Sequence, residues 1–262
     1  MFYYQGKTAL ITGASSGIGE VFAWNLAKRG MNVILVARSE EKLRTLATDL
    51  HQKYGVCTEI IVADLSRENA ALAVFDAVQQ MQLTVDMLVN NAGFLNYAPF
   101  EQIAPGQDHA QVMVNVTALV DLTHAFLPGM LARGEGAVIN LSSSGAFQPM
   151  PYMAVYGASK AFVLSFSEAL WVEYRKQGLR VLALCPGPTA TGALVKVFDN
   201  GRATPPHRVV ADALKALEAG RSYVIPGLKN YFLANSLPRL LPRSITAQIL
   251  ERITRPRTSG AR

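Results

Sequence analysis

Cysteine is scarce in this chain: Cys57 and Cys185 are the only two among 262 residues, far apart and with no CxxC pair. Such thiols supply neither a disulfide framework nor a thiolate zinc site, and a reducing, cytoplasmic setting is expected. The four histidines, His51, His109, His124 and His207, show no HxxxH spacing, so no metal is expected. Charged residues are few, at 17%, but half the chain is apolar, which excludes a disordered polar coil. The 20 glycines and 13 prolines follow no fibrous period. Long apolar runs are missing too. The longest uncharged stretch, Gly136–Ser159, contains Asn140, three consecutive serines, Gln148 and two prolines, and is unsuited to spanning hydrocarbon. Met1–Lys7 has no basic region leading into an apolar run, so no secretory leader is expected and the mature chain should begin at or near Met1.

What is present is alternation. Aliphatic or β-branched runs at Ala9–Thr12, Val33–Ala37, Glu59–Ala63, Met87–Asn91, Ala137–Leu141 and Val181–Cys185 read as strands buried on both faces. Helical apolar periods fill the gaps, including two long ones at about 107–131 and 153–176. Parallel neighbours need crossovers of that length, and crossovers are right-handed. The expected fold is α/β, a single doubly wound parallel-sheet (Rossmann) domain over residues 1–262. Its core is placed at about 5–225 and a short C-terminal helical extension at about 226–262. Past Cys185 the pattern loosens, with a helix expected at Arg208–Ala219, a short strand at Ser222–Ile225 and two short helices.

Thr12-Gly13-Ala14-Ser15-Ser16-Gly17-Ile18-Gly19 falls where the first strand ends and the first helix begins. Gly13 suits a tight turn, Gly17 lets a pyrophosphate approach the backbone, and Gly19 lets helix and strand pack closely. The helix N-terminus adds unpaired N–H donors and partial positive charge. The Gly-Lys-Ser/Thr of a P-loop is absent. At the end of the second strand, where a ribose 2′-hydroxyl would need an acid, stands Val36-Ala37-Arg38-Ser39. Arg38 suits a 2′-phosphate, so NADP(H) is expected over NAD(H).

Tyr156 and Lys160 are four apart at the start of a helical pattern and share a face. Proton transfer near neutrality asks for a phenol lowered by about two units, or about 2.7 kcal/mol. A cation about 4 Å away at an effective dielectric of about 20 is worth roughly 4 kcal/mol. Lys160 is therefore expected to depress the tyrosine.

Together these motifs resemble the short-chain dehydrogenase/reductase family over about residues 7–192. The glycine motif is followed by Asp64-Leu65, Asn90-Asn91-Ala92-Gly93, Asn115, Ser143, Tyr156 with Lys160, and Pro186-Gly187 with Thr191, in family order. The resemblance implies that Tyr156 exchanges a proton with the carbonyl oxygen. It implies that Ser143, 13 positions earlier, hydrogen-bonds the same oxygen, that Lys160 holds the nicotinamide ribose, and that Asn115 anchors a water leading to Lys160. Gly13, Ser15, Ser16, Gly17, Ile18 and Gly19 would hold the pyrophosphate, and Asp64 and Leu65 would border the adenine. Asn91, Ala92 and Gly93 would line the adenosine side, Pro186 and Gly187 would turn the chain across the cofactor, and Thr191 would meet the carboxamide. Asn90 reads as structural. The resemblance also implies a homodimer or homotetramer through the two long helices.

Phe94, Leu95, Tyr97, Phe147, Met150, Tyr152, Met153, Leu194, Val197 and Phe198 are expected at the pocket rim. They suit an apolar carbonyl or alcohol equally as well as simple core and lid packing. Net charge is +6, yet residues 1–200 hold 14 basic and 16 acidic side chains while residues 201–262 hold 11 and 3. The basic residues of this last segment form no run, and no nucleic-acid motif accompanies them. Cations alternating with apolar residues suit an anionic membrane surface, or a cover over the pocket or a partner subunit; the cover is preferred.

Overall fold

Aliphatic runs that cannot be satisfied on one face alone become central strands here, and the polar, amphipathic intervals between them become the crossover helices. The computed structural model describes residues 2–191, 203–228, 230–232, 234 and 240–256. Its strands are β1 (Thr8–Thr12), β2 (Asn32–Ala37), β3 (Thr58–Val62), β4 (Met87–Asn90), β5 (Gly136–Leu141), β6 (Leu179–Leu184) and β7 (Tyr223–Val224). All pair in parallel in the order β3-β2-β1-β4-β5-β6-β7. The helices are α1 (Gly17–Lys28), α2 (Glu40–Tyr54), α3 (Ala70–Gln80), α4 (Gln107–Val112), α5 (Ala118–Ala132), α6 (Ala154–Tyr174), α7 (Pro206–Glu218) and α8 (Arg243–Thr254). This is the doubly wound α/β fold expected from the sequence.

Side chains alternate along each strand, and the two cores follow. Ala9, Ile11, Val33, Leu35, Met87, Val89, Ala137, Ile139, Leu182 and Leu184 pack on one face with α1, α2 and α7. Leu10, Ile34, Val36, Leu88, Val138 and Val181 pack on the other with α3 and α5. The order reverses between β1 and β4, so the crevice beyond their carboxyl ends is the place where such sheets take ligands.

Details depart from the expected elements for local reasons. The helix expected at Arg208 starts at Pro206, because proline is pre-organised for the first helical position and lacks only an N–H that has no partner there. The long run from Gln107 to Ala132 is interrupted by a wide π-turn at Met113–Thr117. By length and composition that run could cross a bilayer, yet half of its most apolar stretch is buried through Leu119, Leu122, Phe126 and Met130. It is a core helix.

Two glycines separate backbone strain from crowding. Gly55 (φ +68°) faces open space, whereas a Cβ on Gly178 (φ +85°) would press into the Gly134 carbonyl. Gly55→Ala should cost about 1 kcal/mol from the left-handed backbone alone, and Gly178→Ala about 2 kcal/mol more from overpacking. Urea unfolding midpoints at constant slope measure the difference.

Candidate active site

The turn after β1 is built by exclusion. Gly13 has φ +65° and Gly17 φ +63°. A Cβ on Gly13 would lie 2.9 Å from the Ala92 Cα, and one on Gly17 3.1 Å from the Thr191 methyl. At Gly19 a Cβ would strike the Gly13 carbonyl and the Asn91 amide. The Asn91 side chain donates to the Thr12 and Gly13 carbonyls at 2.9 and 3.3 Å. The Thr12 hydroxyl accepts from the Asn91 and Ala92 N–H groups at 3.0 and 2.9 Å. Asn91 therefore shapes the glycine turn with its own amide, and Ala92 and Gly93 follow beside it. Ser15, Ser16 and Ile18 complete the loop, and Ser16, the residue before α1, makes no side-chain cap. The first N–H groups of α1 thus point outward without a side-chain acceptor. A pyrophosphate fits this cradle because its floor is bare backbone at the positive end of a helix.

Arg38 is exposed at the tip of β2, close enough to Asp64 to lower its carboxyl below the usual range, after the larger effect of two hydrogen bonds from Ser66. Leu65 is buried with Ile34, Val36 and Ile61. Its side chain belongs to the core, leaving only its backbone at the adenine-side position expected for it.

The other half of the site comes from β5, the π-turn and α6. Ser143 accepts from the Gly145 N–H at 3.1 Å and stands next to the Tyr156 phenol, where its hydroxyl favours the ionised form. Ser142 is engaged elsewhere, donating to the Lys160 carbonyl at 2.7 Å. Lys160 is 3% exposed; its Nζ donates to the Leu141 carbonyl at 2.7 Å and lies 5.8 Å from the Tyr156 ring centroid. Asn115, on the π-turn, accepts from the Phe94 N–H at 3.1 Å and donates to the Phe94 carbonyl at 3.0 Å. It also donates to Ser159 Oγ at 3.2 Å, which in turn donates to the Tyr156 carbonyl at 2.7 Å. A π-turn at such a place is a common mark of a working site. Through these bonds the Asn115 side chain braces the cluster directly. Pro186 and Gly187 are buried behind it, with Pro186 accepting from Ser144 N–H at 2.9 Å.

The net effect on the phenol is upward: burial, the largest influence, pushes Tyr156 above its ordinary value and Ser143 offsets it in part. Burial likewise pulls Lys160 down to about 8. Desolvation penalises the charged form of each group.

Of the expected rim, Phe94 and Tyr97 lie on the loop after β4, and Met150, Tyr152 and Met153 lie before α6, while Leu194, Val197 and Phe198 fall outside the described residues. Helix α8 packs on both loops. Tyr97 Oη donates to the Thr254 carbonyl and Tyr152 Oη to Glu251 Oε1, each at 2.7 Å. Sequence reasoning missed Glu251 and Thr254, because contacts across 99 and 157 positions leave no local signal.

A family model for short chain dehydrogenases matches residues 7–201. The chain is 35% identical over 220 residues to 17-beta-hydroxysteroid dehydrogenase type 3 of Mus musculus, covering 82% of this chain and 70% of that protein. It is 39% identical over 189 residues to the inactive hydroxysteroid dehydrogenase-like protein 1 of Homo sapiens, covering 71% and 57%. The curated relatives it matches are spanned over 56% to 75% of their length. Among solved structures, one studied for 7beta-hydroxysteroid dehydrogenase stereoselectivity superposes with a TM-score of 0.87 at 29% identity, over 94% of this chain and 97% of the other. A short-chain dehydrogenase from Sphingobium yanoikuyae in complex with NADPH superposes at 0.80 with 31% identity, over 98% of each chain.

The lysine provides a stability test. Its folded pKa, about 8, lies below the ordinary 10.5, so the unfolded chain binds more protons between those values. Stability therefore rises as pH climbs through that window, and the full burial penalty is present below it. Lys160→Met should raise the unfolding free energy at pH 7 by about 1–3 kcal/mol, the lost hydrogen bond reducing the gain. The advantage should shrink at pH 9 and above. A Lys160→Met chain less stable at pH 7, in denaturant melts, would contradict a costly buried ammonium.

Proposed function

The chain belongs to the short-chain dehydrogenase family, and on that footing we propose that it is an NADPH-dependent carbonyl reductase acting on bulky, apolar ketones or aldehydes, with Tyr156 as proton donor. The observation that carries this reading is the meeting of Tyr156, Ser143 and Lys160 in one buried cluster, at the same sheet edge as the bare glycine turn.

The hydride for the carbonyl carbon would come from a reduced nicotinamide held at that turn. The remaining steps belong to the chain. Negative charge grows on the carbonyl oxygen, and the Ser143 and Tyr156 hydroxyls are placed to receive it. A phenol is protonated at neutral pH, as a donor in the reducing direction must be, and burial shifts Tyr156 further the same way. As the proton leaves, the Lys160 ammonium beside the ring limits the cost of the phenolate. Asn115, through Ser159, holds the first turn of α6 that presents the phenol. Gly13 to Gly19, Asn91 to Gly93, Pro186, Gly187 and Thr191 would hold the dinucleotide, with Arg38 on its 2′-phosphate. The NADPH-bound neighbour supports that cofactor, and the hydroxysteroid relatives support a bulky apolar substrate, as do Phe94, Tyr97 and Met150 near the mouth.

The reading extends to a cytoplasmic homodimer or homotetramer built on one dinucleotide-binding domain. Phe162, stacked on Phe166, and Val172 are exposed on α6 and support a contact between copies along that helix.

Tyr156→Phe should lower carbonyl reduction by about 10²- to 10⁴-fold while NADPH fluorescence titration stays unchanged; full turnover by this variant would refute the mechanism. Arg38→Ala should weaken NADPH binding by about 10- to 100-fold and leave NADH binding alone. Wild-type chain binding NADH more tightly than NADPH would favour instead an NAD-dependent alcohol dehydrogenase.

A further inference from the structure

Helix α8 lies beyond the residues that the family model matches, yet its last turn touches both loops at the mouth of the site. Tyr97 Oη donates to the Thr254 carbonyl at 2.7 Å, and Thr254 Oγ1 to the Pro151 carbonyl at 3.3 Å. Tyr152 Oη donates to Glu251 Oε1 at 2.7 Å, and Arg255 braces the same oxygen at 2.7 Å. The loop after β4 and the loop that opens α6 are thereby joined through one helical turn.

Between those ties stands a backbone that needs holding. Tyr152 has φ +63°, a left-handed conformation that a bulky L-residue adopts only when its surroundings over-determine it. Its carbonyl accepts from the Ala98 N–H at 3.1 Å, and its phenol is latched by Glu251. Two residues later α6 begins at Ala154, with Tyr156 in the first turn. The direction in which the chain leaves Tyr152 therefore sets where that helix starts, and with it the place of the Tyr156 hydroxyl.

We propose that Glu251 is a positioning residue: through the Tyr152 hydroxyl it holds the left-handed turn that places Tyr156, so that the C-terminal helix controls the geometry of proton donation. The proposal rests on the reading of Tyr156 as proton donor. Misplacement of a reacting group by a fraction of an ångström slows the chemical step more than it weakens binding.

The test follows NADPH oxidation by the full-length chain against a panel of ketones and aldehydes, with Tyr152→Phe, Glu251→Ala, their double variant, and Glu251→Ala combined with Tyr152→Gly. Each single variant should lower kcat about tenfold while KM for NADPH stays within about twofold. The double variant should be no worse than either single one, because both remove the same contact. Glycine adopts the left-handed turn without a latch, so adding Tyr152→Gly to Glu251→Ala should restore kcat to within about threefold of wild type while raising KM for the carbonyl. An unchanged kcat in Glu251→Ala, penalties that add in the double variant, or no rescue by glycine would overturn the proposal. Amide hydrogen exchange across 152–158 reads the latch without turnover. Faster exchange in Glu251→Ala supports it and identical exchange overturns it, whereas a wild-type chain inert toward every carbonyl would defeat the reading of Tyr156 and not the latch.

Discussion

A buried ammonium organises the carboxyl edge of this sheet. Lys160 is buried, with its ammonium held by the Leu141 carbonyl at the end of β5 and set over the face of the Tyr156 ring. A charge held this way lowers its own affinity for protons and is tolerable only while its partners stay in place. Those partners come from segments that the chain must bring together: β5 supplies the carbonyl, Ser142 ties the Lys160 backbone to the loop after β5, and α6 carries phenol and amine. Apolar residues of similar size would fold as well or better there, and a group whose presence costs stability is a candidate for function.

The polar chemistry continues downward. Asn90 donates to Thr123 and Asn140, and Asn140 to Ser167, at 2.9 to 3.0 Å, linking α5, β4, β5 and α6 through the middle of the sheet. The Asn90 oxygen is left without a partner, but the directional bonds that are made hold one arrangement where aliphatic packing would tolerate slippage. On the cofactor side the same constraint is met by Asn91 and Thr12, which close the end of β1 onto the end of β4. Rigidity is thus invested at the switch point, where the glycine turn needs a fixed floor.

At the mouth, rigidity has another source. The loop after β4 is held from beneath by the buried Asn115 and Gln111, and a helix from a distant part of the chain spans it and the loop before α6. Its inner side carries Thr246, Glu251 and Thr254, while Ile245 and Ile253 face outward at 44% and 68% exposure.

Much of this was legible in the residues themselves. The strands, the crossovers and the glycine turn follow from periodicity and from side chains that are missing, because a parallel sheet buried on both faces leaves few other patterns. Of the three serines, Ser143 is the one whose hydroxyl stands beside the Tyr156 phenol. What the linear pattern leaves open is electrostatic: a helical spacing of four makes Tyr156 and Lys160 neighbours, but the balance of charge attraction and desolvation depends on how much water the fold removes. Likewise, nothing local marks Glu251 or Thr254, nor the left-handed turn at Tyr152. The sequence alone determined which elements form and which residues lie at the carboxyl edge, since these depend on nearest neighbours and burial period. Only the tertiary structure decided the dielectric around the phenol and the seating of the last helix, since both arise from contacts between residues that the chain holds far apart.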